Sequence, residues 1–174
     1  RIAEIDCQVV AAMKPYDQEW KLLQTIPGID EIGAAMLLAE IGIDMSVFGN
    51  VDRLCSWAGI CPGSYESAGK RKGGKTSQAN VYLKTLLCEF AHSAYRSNSQ
   101  FKSRFESLVI RRGYKRTLIA IAHQILRITF KIIKTQKPYR DSQVDYKKLT
   151  VDRNAPRWLK ALKEYGYLDK MRSL

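Results

Sequence analysis

Acidic side chains are scarce. Seventeen Asp and Glu face 29 Lys and Arg, which leaves a net charge of +12 with only two histidines to modulate it. Excess positive charge of this size on a folding chain suits an anionic partner, either nucleic acid or an acidic membrane surface. A basic proteome or a need for solubility would produce the same balance. Cysteine is sparse as well. Cys7, Cys55, Cys61 and Cys88 never fall at C-x-x-C spacing, and neither histidine completes a zinc pattern. We expect reduced, buried thiols of an intracellular protein. No signal-peptide pattern opens the chain. No apolar run is long enough for a membrane span, because the most apolar stretch, 117–133, is broken by His123, Gln124, Arg127 and Lys131. Asp44, Asp52 and Glu40 lie near one another in sequence but do not resemble a carboxylate set built for Mg²⁺, so no metal or cofactor is expected on this chain itself.

The chain does have enough apolar material for a core. Hydrophobic residues make up 45% of its 174 positions, which excludes a disordered polycation. It opens at Arg1 and not Met, so we expect a piece of a longer protein. Ile2, Ile5, Val9, Ala12 and Tyr16 step by three and four, the spacing of a coiled-coil seam or of a helix packed on the domain; Pro15 should break or restart this helix. Residues 22–42 read as helix, turn, helix, punctuated by Pro27-Gly28. Asp30 is placed to cap the second helix, and Ala34, Leu37, Leu38 and Ile41 form its apolar face.

Residues 48–58 suggest a short helix capped by Asn50, with Leu54 and Trp57 inward. Leu83, Leu86, Leu87, Phe90 and Ala94 form one further apolar stripe, and Phe101, Phe105, Leu108 and Val109 another. Gly113 should end that second helix, and 116–134 should form a long one stopped by Lys137-Pro138. Residues 136–153 look like a polar linker, with a last helix starting at Asn154-Ala155-Pro156, carrying Trp158, Leu159, Leu162 and Tyr165, and closing at Gly166. The class is all-α with few or no strands. It divides into the end of a coiled-coil helix (1–20), a main domain (21–140), and a polar linker with a C-terminal helix (141–174).

Three features could carry function. In a helix-hairpin-helix, Gly28 would let the backbone approach a phosphate held by the N-terminal end of the following helix; a plain α-turn-α packing unit reads the same way, and Asp30 places a negative charge beside the proposed phosphate. The stretch 60–78 has no helical period and carries Lys70, Arg71, Lys72 and Lys75 among its glycines. It reads as a long basic loop, with room for a short hairpin, and should be poorly ordered without partners. Ser67 lies just ahead of these cations. A serine needs such charge to attack phosphorus, yet serines in glycine-rich loops are commonly turn formers. Finally, His123, Arg127, Lys131 and Lys134 line one side of the long helix, either following phosphates or forming a solvated face without acidic partners.

Taken in order, these residues resemble a known pattern. Leu22, Ile26-Pro27-Gly28-Ile29-Asp30, Ala35, Leu38 to Gly42, Phe48, Leu54, Trp57-Ala58-Gly59-Ile60, Pro62, Tyr65-x-Ser67-x-Gly69-Lys70, Asn80, Tyr82-Leu83-Lys84, Leu87 and Phe105-Glu106 resemble the C-terminal domain of insertion-sequence-110 family transposases, over roughly residues 20–140. Ala68, Ser77 and Ala79 depart from it, standing where Gly, Lys and Gly are common. The resemblance implies a DNA recombinase directed by a structured bridge RNA. An N-terminal RuvC-like domain would hold Mg²⁺, joined by a coiled coil to this domain. It implies that Ser67 is the nucleophile, with Ser64 its nearest rival, and that Gly28, Lys70, Arg71, Lys72, Lys75, Arg127 and Lys131 hold nucleic acid. It further implies a homo-oligomer in a bacterial or archaeal cytoplasm, at the nucleoid and not at a membrane, and an isolated chain that is inactive. The competing readings are a non-catalytic helix-hairpin-helix module that binds nucleic acid and a coiled-coil-linked assembly domain.

Overall fold

The computed structural model describes residues 2–61, 66–67, 70–71 and 79–167. Among them are eight α-helices: α1 (Ile2–Met13), α2 (Asp17–Leu23), α3 (Glu31–Ile41), α4 (Val51–Trp57), α5 (Val81–Ala94), α6 (Gln100–Arg112), α7 (Tyr114–Thr135) and α8 (Tyr146–Glu164). One antiparallel pair joins β1 (Glu66–Ser67) to β2 (Lys70–Arg71), so the fold is all-α, with a single minimal hairpin among the described residues.

Helix α7 is the axis. It packs against α5 and α6 along its length and against α2 and α4 elsewhere. Ile121, Ala122, Ile125, Leu126, Ile132 and Ile133 are all buried, as an apolar stripe at helical spacing requires. The stripe read on α5 is buried from Leu83 to Ala94. Gly113, at φ +76°, closes α6 and opens α7 in one step. Pro15 restarts the first helical segment through a 3-10 turn (Lys14–Tyr16) ahead of α2. Val9, Val10 and Met13 of α1 pack against the core, whereas Ile2 and Ile5 are exposed.

The α2–turn–α3 unit is fixed from both sides. Ile26 and Ile29 sink into the core, and the Ile26 and Ile29 amides bond back to the Leu23 and Ile26 carbonyls at 3.0 and 3.1 Å. Trp20 Nε1 donates to the Glu31 carbonyl at 2.8 Å. Asp30 caps α3, its Oδ1 accepting from the Gly33 amide at 2.7 Å. Gly28 has φ +91°, and a Cβ built there would lie 2.6 Å from both the Ala94 nitrogen and the Phe90 carbonyl oxygen of α5. Gly33 likewise leaves room for the Phe90 ring.

Four expectations are corrected. Trp57 does not face inward: it is 43% exposed and leans on Phe48 with ring centroids 5.4 Å apart, because Leu54, Cys55 and Ala58 fill the core side of a two-turn helix. Cys7 is exposed, on a part of α1 whose Ile2 and Ile5 are exposed too, and Cys61 and Cys88 are only half-buried; all four thiols are free. The final helix begins at Tyr146, eight residues before Asn154, and carries Pro156 in its interior. Asp145 provides the earlier start, accepting from the Lys147 and Lys148 amides at 2.9 and 3.0 Å. Lastly, 136–145 is no loose linker. Asp141 accepts from the Gln100 amide at 3.0 Å, Ser103 donates to the Val144 carbonyl, and the Tyr139 hydroxyl accepts from Gln100 Nε2 at 2.7 Å. Asp141 thereby caps α6, whose own Ser99 makes no side-chain cap.

Gly28→Ala should cost at least about 3 kcal/mol, the sum of a left-handed backbone and a Cβ driven into α5. Asp30→Ala should cost about 1 kcal/mol for a lost cap. Urea denaturation of the two variants checks the ranking; equal losses would mean that the turn can move away from α5.

Candidate nucleic-acid interface

The basic loop leaves the core at a defined point and returns at another. Ile60 is buried, and its amide bonds the Cys55 carbonyl at 3.3 Å at the end of α4. At the return, Asn80 Oδ1 caps α5 by accepting from the Leu83 amide at 3.0 Å, while Asn80 Nδ2 donates to Glu40 Oε2 at 2.6 Å. One side chain thus begins α5 and ties it to α3. Between these anchors, strand register sets Ser67 opposite Lys70 and Glu66 opposite Arg71. Ser64, Lys72 and Lys75, and the expected looseness of 62–78, lie outside the described residues.

The α7 stripe forms as the spacing predicts. Arg127, Lys131 and Lys134 are exposed and His123 is half-buried. Its acidic partner comes from another element. Asp52 on α4 pairs with Arg127, Oδ1 to Nη1, at 2.5 Å, across 75 residues of sequence. Both groups stay accessible, Arg127 at 45% and Asp52 at 76%. An exposed pair of this kind contributes at most about 1 kcal/mol and gives way readily to a stronger anion. Lys131 forms no ion pair among the described residues.

Gly28 packs against the backbone of α5 where a side chain would otherwise stand, and at the start of α3 the Asp30 carboxylate takes up the Gly33 amide. The three nearby carboxylates also work singly: Glu40 on Asn80, Asp52 on Arg127, and Asp44 on the Ser46 amide at 2.8 Å. That Ser46 contact holds the Asp44 carboxyl below its usual value. Among the described residues no three His, Cys, Asp or Glu side chains converge as a metal would require, and no helix is long and apolar enough to cross a membrane.

Burial pushes the Cys55 thiol up to about 12, with Cys61 and Asp52 adding to the effect, so it is not a nucleophile near neutral pH. Burial, and then the Arg127 guanidinium, lower His123 from its ordinary 6.5, with Asp52 opposing them.

The model of the family described as Transposase IS116/IS110/IS902 matches residues 20–106, half of the chain, and the chain belongs to that family. Two curated relatives extend the likeness. "Putative transposase y4pF/y4sB" of Sinorhizobium fredii (strain NBRC 101917 / NGR234) is 28% identical over 152 residues, 80% of this chain and 39% of its own length. "Pilin gene-inverting protein" of Moraxella lacunata is 29% identical over 140 residues, 76% of this chain and 42% of its own length. The chain therefore spans about two fifths of the relatives it matches.

The lowered His123 value has a definite sign. The unfolded chain binds a proton at His123 where the folded chain does not, so this residue subtracts stability as pH falls below about 6.5 and has no such effect above it. Proton NMR should find His123 titrating below 6.5, and lower still in Asp52→Asn. Denaturation at pH 7 and pH 5 should show a smaller acid loss in His123→Gln than in the parent.

Proposed function

We propose that this chain is the part of an IS110-type transposase that supplies the serine nucleophile for DNA strand exchange directed by a structured bridge RNA. The observation that carries the reading is the family match running through the β1–β2 hairpin, where Ser67 and Lys70 are paired directly. In this reading the Ser67 hydroxyl attacks a DNA phosphorus. A Ser Oγ–P bond forms as one P–O bond to sugar breaks, and the serine proton is given up as the departing oxygen gains one. Lys70 and Arg71, with Lys72 and Lys75, offset the charge on the phosphoryl oxygens. Reversal rejoins the strand to a new partner, since the phosphoserine conserves the energy of the broken bond.

Arg127 and Lys131 would hold the backbone of DNA or RNA, with phosphate displacing Asp52 from Arg127. Gly28, besides packing on α5, would let the turn backbone come close to a phosphate. Mg²⁺ belongs, by resemblance, to an RuvC-like domain outside this chain. The described residues offer no carboxylate set to hold it, and no step here passes through it. In this reading the working protein acts as a homo-oligomer at the nucleoid.

The test is Ser67→Ala in the full-length transposase. Recombination should be abolished and the covalent protein–DNA adduct lost, while affinity stays within about twofold, because one neutral hydroxyl adds little to binding built on cations. Normal recombination by that variant refutes the assignment; loss in Ser64→Ala instead moves the nucleophile by three residues. A non-catalytic binding module would form no adduct at all. Separately, Asp52→Asn should tighten nucleic-acid binding by a few-fold at low salt, because it frees Arg127 and removes a negative charge. Unchanged affinity would take α7 out of the interface.

A further inference from the structure

A second cluster lies at the corner where α5, α6 and α7 meet. Tyr95, at the end of α5, stacks on Phe105 of α6, with centroids 4.2 Å apart and planes 14° from parallel. The Arg96 guanidinium lies 6.0 Å above the Tyr95 ring, and its Nη2 approaches His92 Nε2 at 3.4 Å. Tyr114, the first residue of α7, meets His92, Tyr95 and Phe105 only at steep angles, 72°, 86° and 72°. Tyr114 as a residue is 43% exposed, and no described aromatic ring lies parallel to its own.

Cations flank this residue in sequence on both sides. Arg111 and Arg112 end α6, Lys115 and Arg116 begin α7, and all four are exposed. None is ion-paired among the described residues. The first two suit the negative end of α6 and need no further explanation. The second two do not. They sit in the first turn of a 22-residue helix with no acidic residue there and no side-chain cap, where positive charge costs stability. Their placement favours an external anion. An exposed aromatic face bordered by arginines and lysines is the combination that binds unpaired nucleotides, the ring taking the base and the cations the phosphates.

We propose that Tyr114 is a stacking platform for an unpaired base of the nucleic acid this chain binds, with Lys115 and Arg116, aided by Arg111 and Arg112, holding the adjoining phosphates. The site uses residues different from those of the β1–β2 hairpin and from the Arg127 stripe further along α7. It rests on the reading of the chain as a nucleic-acid binder but not on the role of Ser67.

The experiment uses this chain and short single-stranded oligonucleotides, DNA and RNA, carrying 2-aminopurine, titrated at several salt concentrations. The parent should quench the fluorescent base on binding. Tyr114→Leu, which keeps apolar bulk but has no π face, should lose the quench and bind roughly tenfold more weakly with an unchanged salt slope. Tyr114→Phe should behave like the parent. The double variant Lys115→Gln/Arg116→Gln should keep the quench at saturation and flatten the salt slope by about 1.4, from two lost phosphate contacts at about 0.7 each. Unchanged quench and affinity in Tyr114→Leu would overturn the proposal, as would an equal loss on fully paired duplex, which points to a structural role. If the parent binds no nucleic acid even at low salt, the broader reading fails with it. Binding that is indifferent to Tyr114 sinks the stacking site alone.

Discussion

The fold depends on one close approach. The α2–α3 turn meets the end of α5 at Gly28, closer than a β-carbon allows. Because the turn touches backbone and not a flexible side chain, it cannot be cushioned by a rotamer change. The contact fixes α3 relative to α5, and α3 carries Glu40, which in turn holds Asn80 at the end of the basic loop. The return point of the loop is thus tied to two helices at once.

Local signals were legible where their cause is local. Asp30 and Asn50 cap helices within three residues of themselves, and the α5 and α7 stripes are periodic over several turns, so both could be read from sequence alone. The features that escaped depend on distant residues. Nothing near Gln100 announces that Asp141 will cap α6, and nothing on α7 announces Asp52 as the partner of Arg127. Gly28 was recognisable as a turn glycine, but the reason for it lies on α5, more than sixty residues on. Pro156 marked a plausible helix start and misled, because Asp145 supplied a stronger one upstream.

Of the candidate site, the positions of the cations could be read and their engagement could not. Spacing placed Arg127 and Lys131 on one side of α7, but whether a cation is free depends on what packs beside it. Asp52 belongs to α4, which reaches α7 only through the tertiary fold. The aromatic corner was invisible for the same reason. His92, Tyr95, Phe105 and Tyr114 belong to three helices and share no periodicity that would collect them.

The Asp141 cap bears on what counts as a module. The match to the family model ends at residue 106, partway along α6, yet α6 is capped at its start by a carboxylate 41 residues further along the chain. The boundary of sequence likeness and the boundary of cooperative folding are therefore not the same line. A recombinase assembled by grafting this domain onto another scaffold would have to carry the segment through Val144, or leave the amide end of α6 bare.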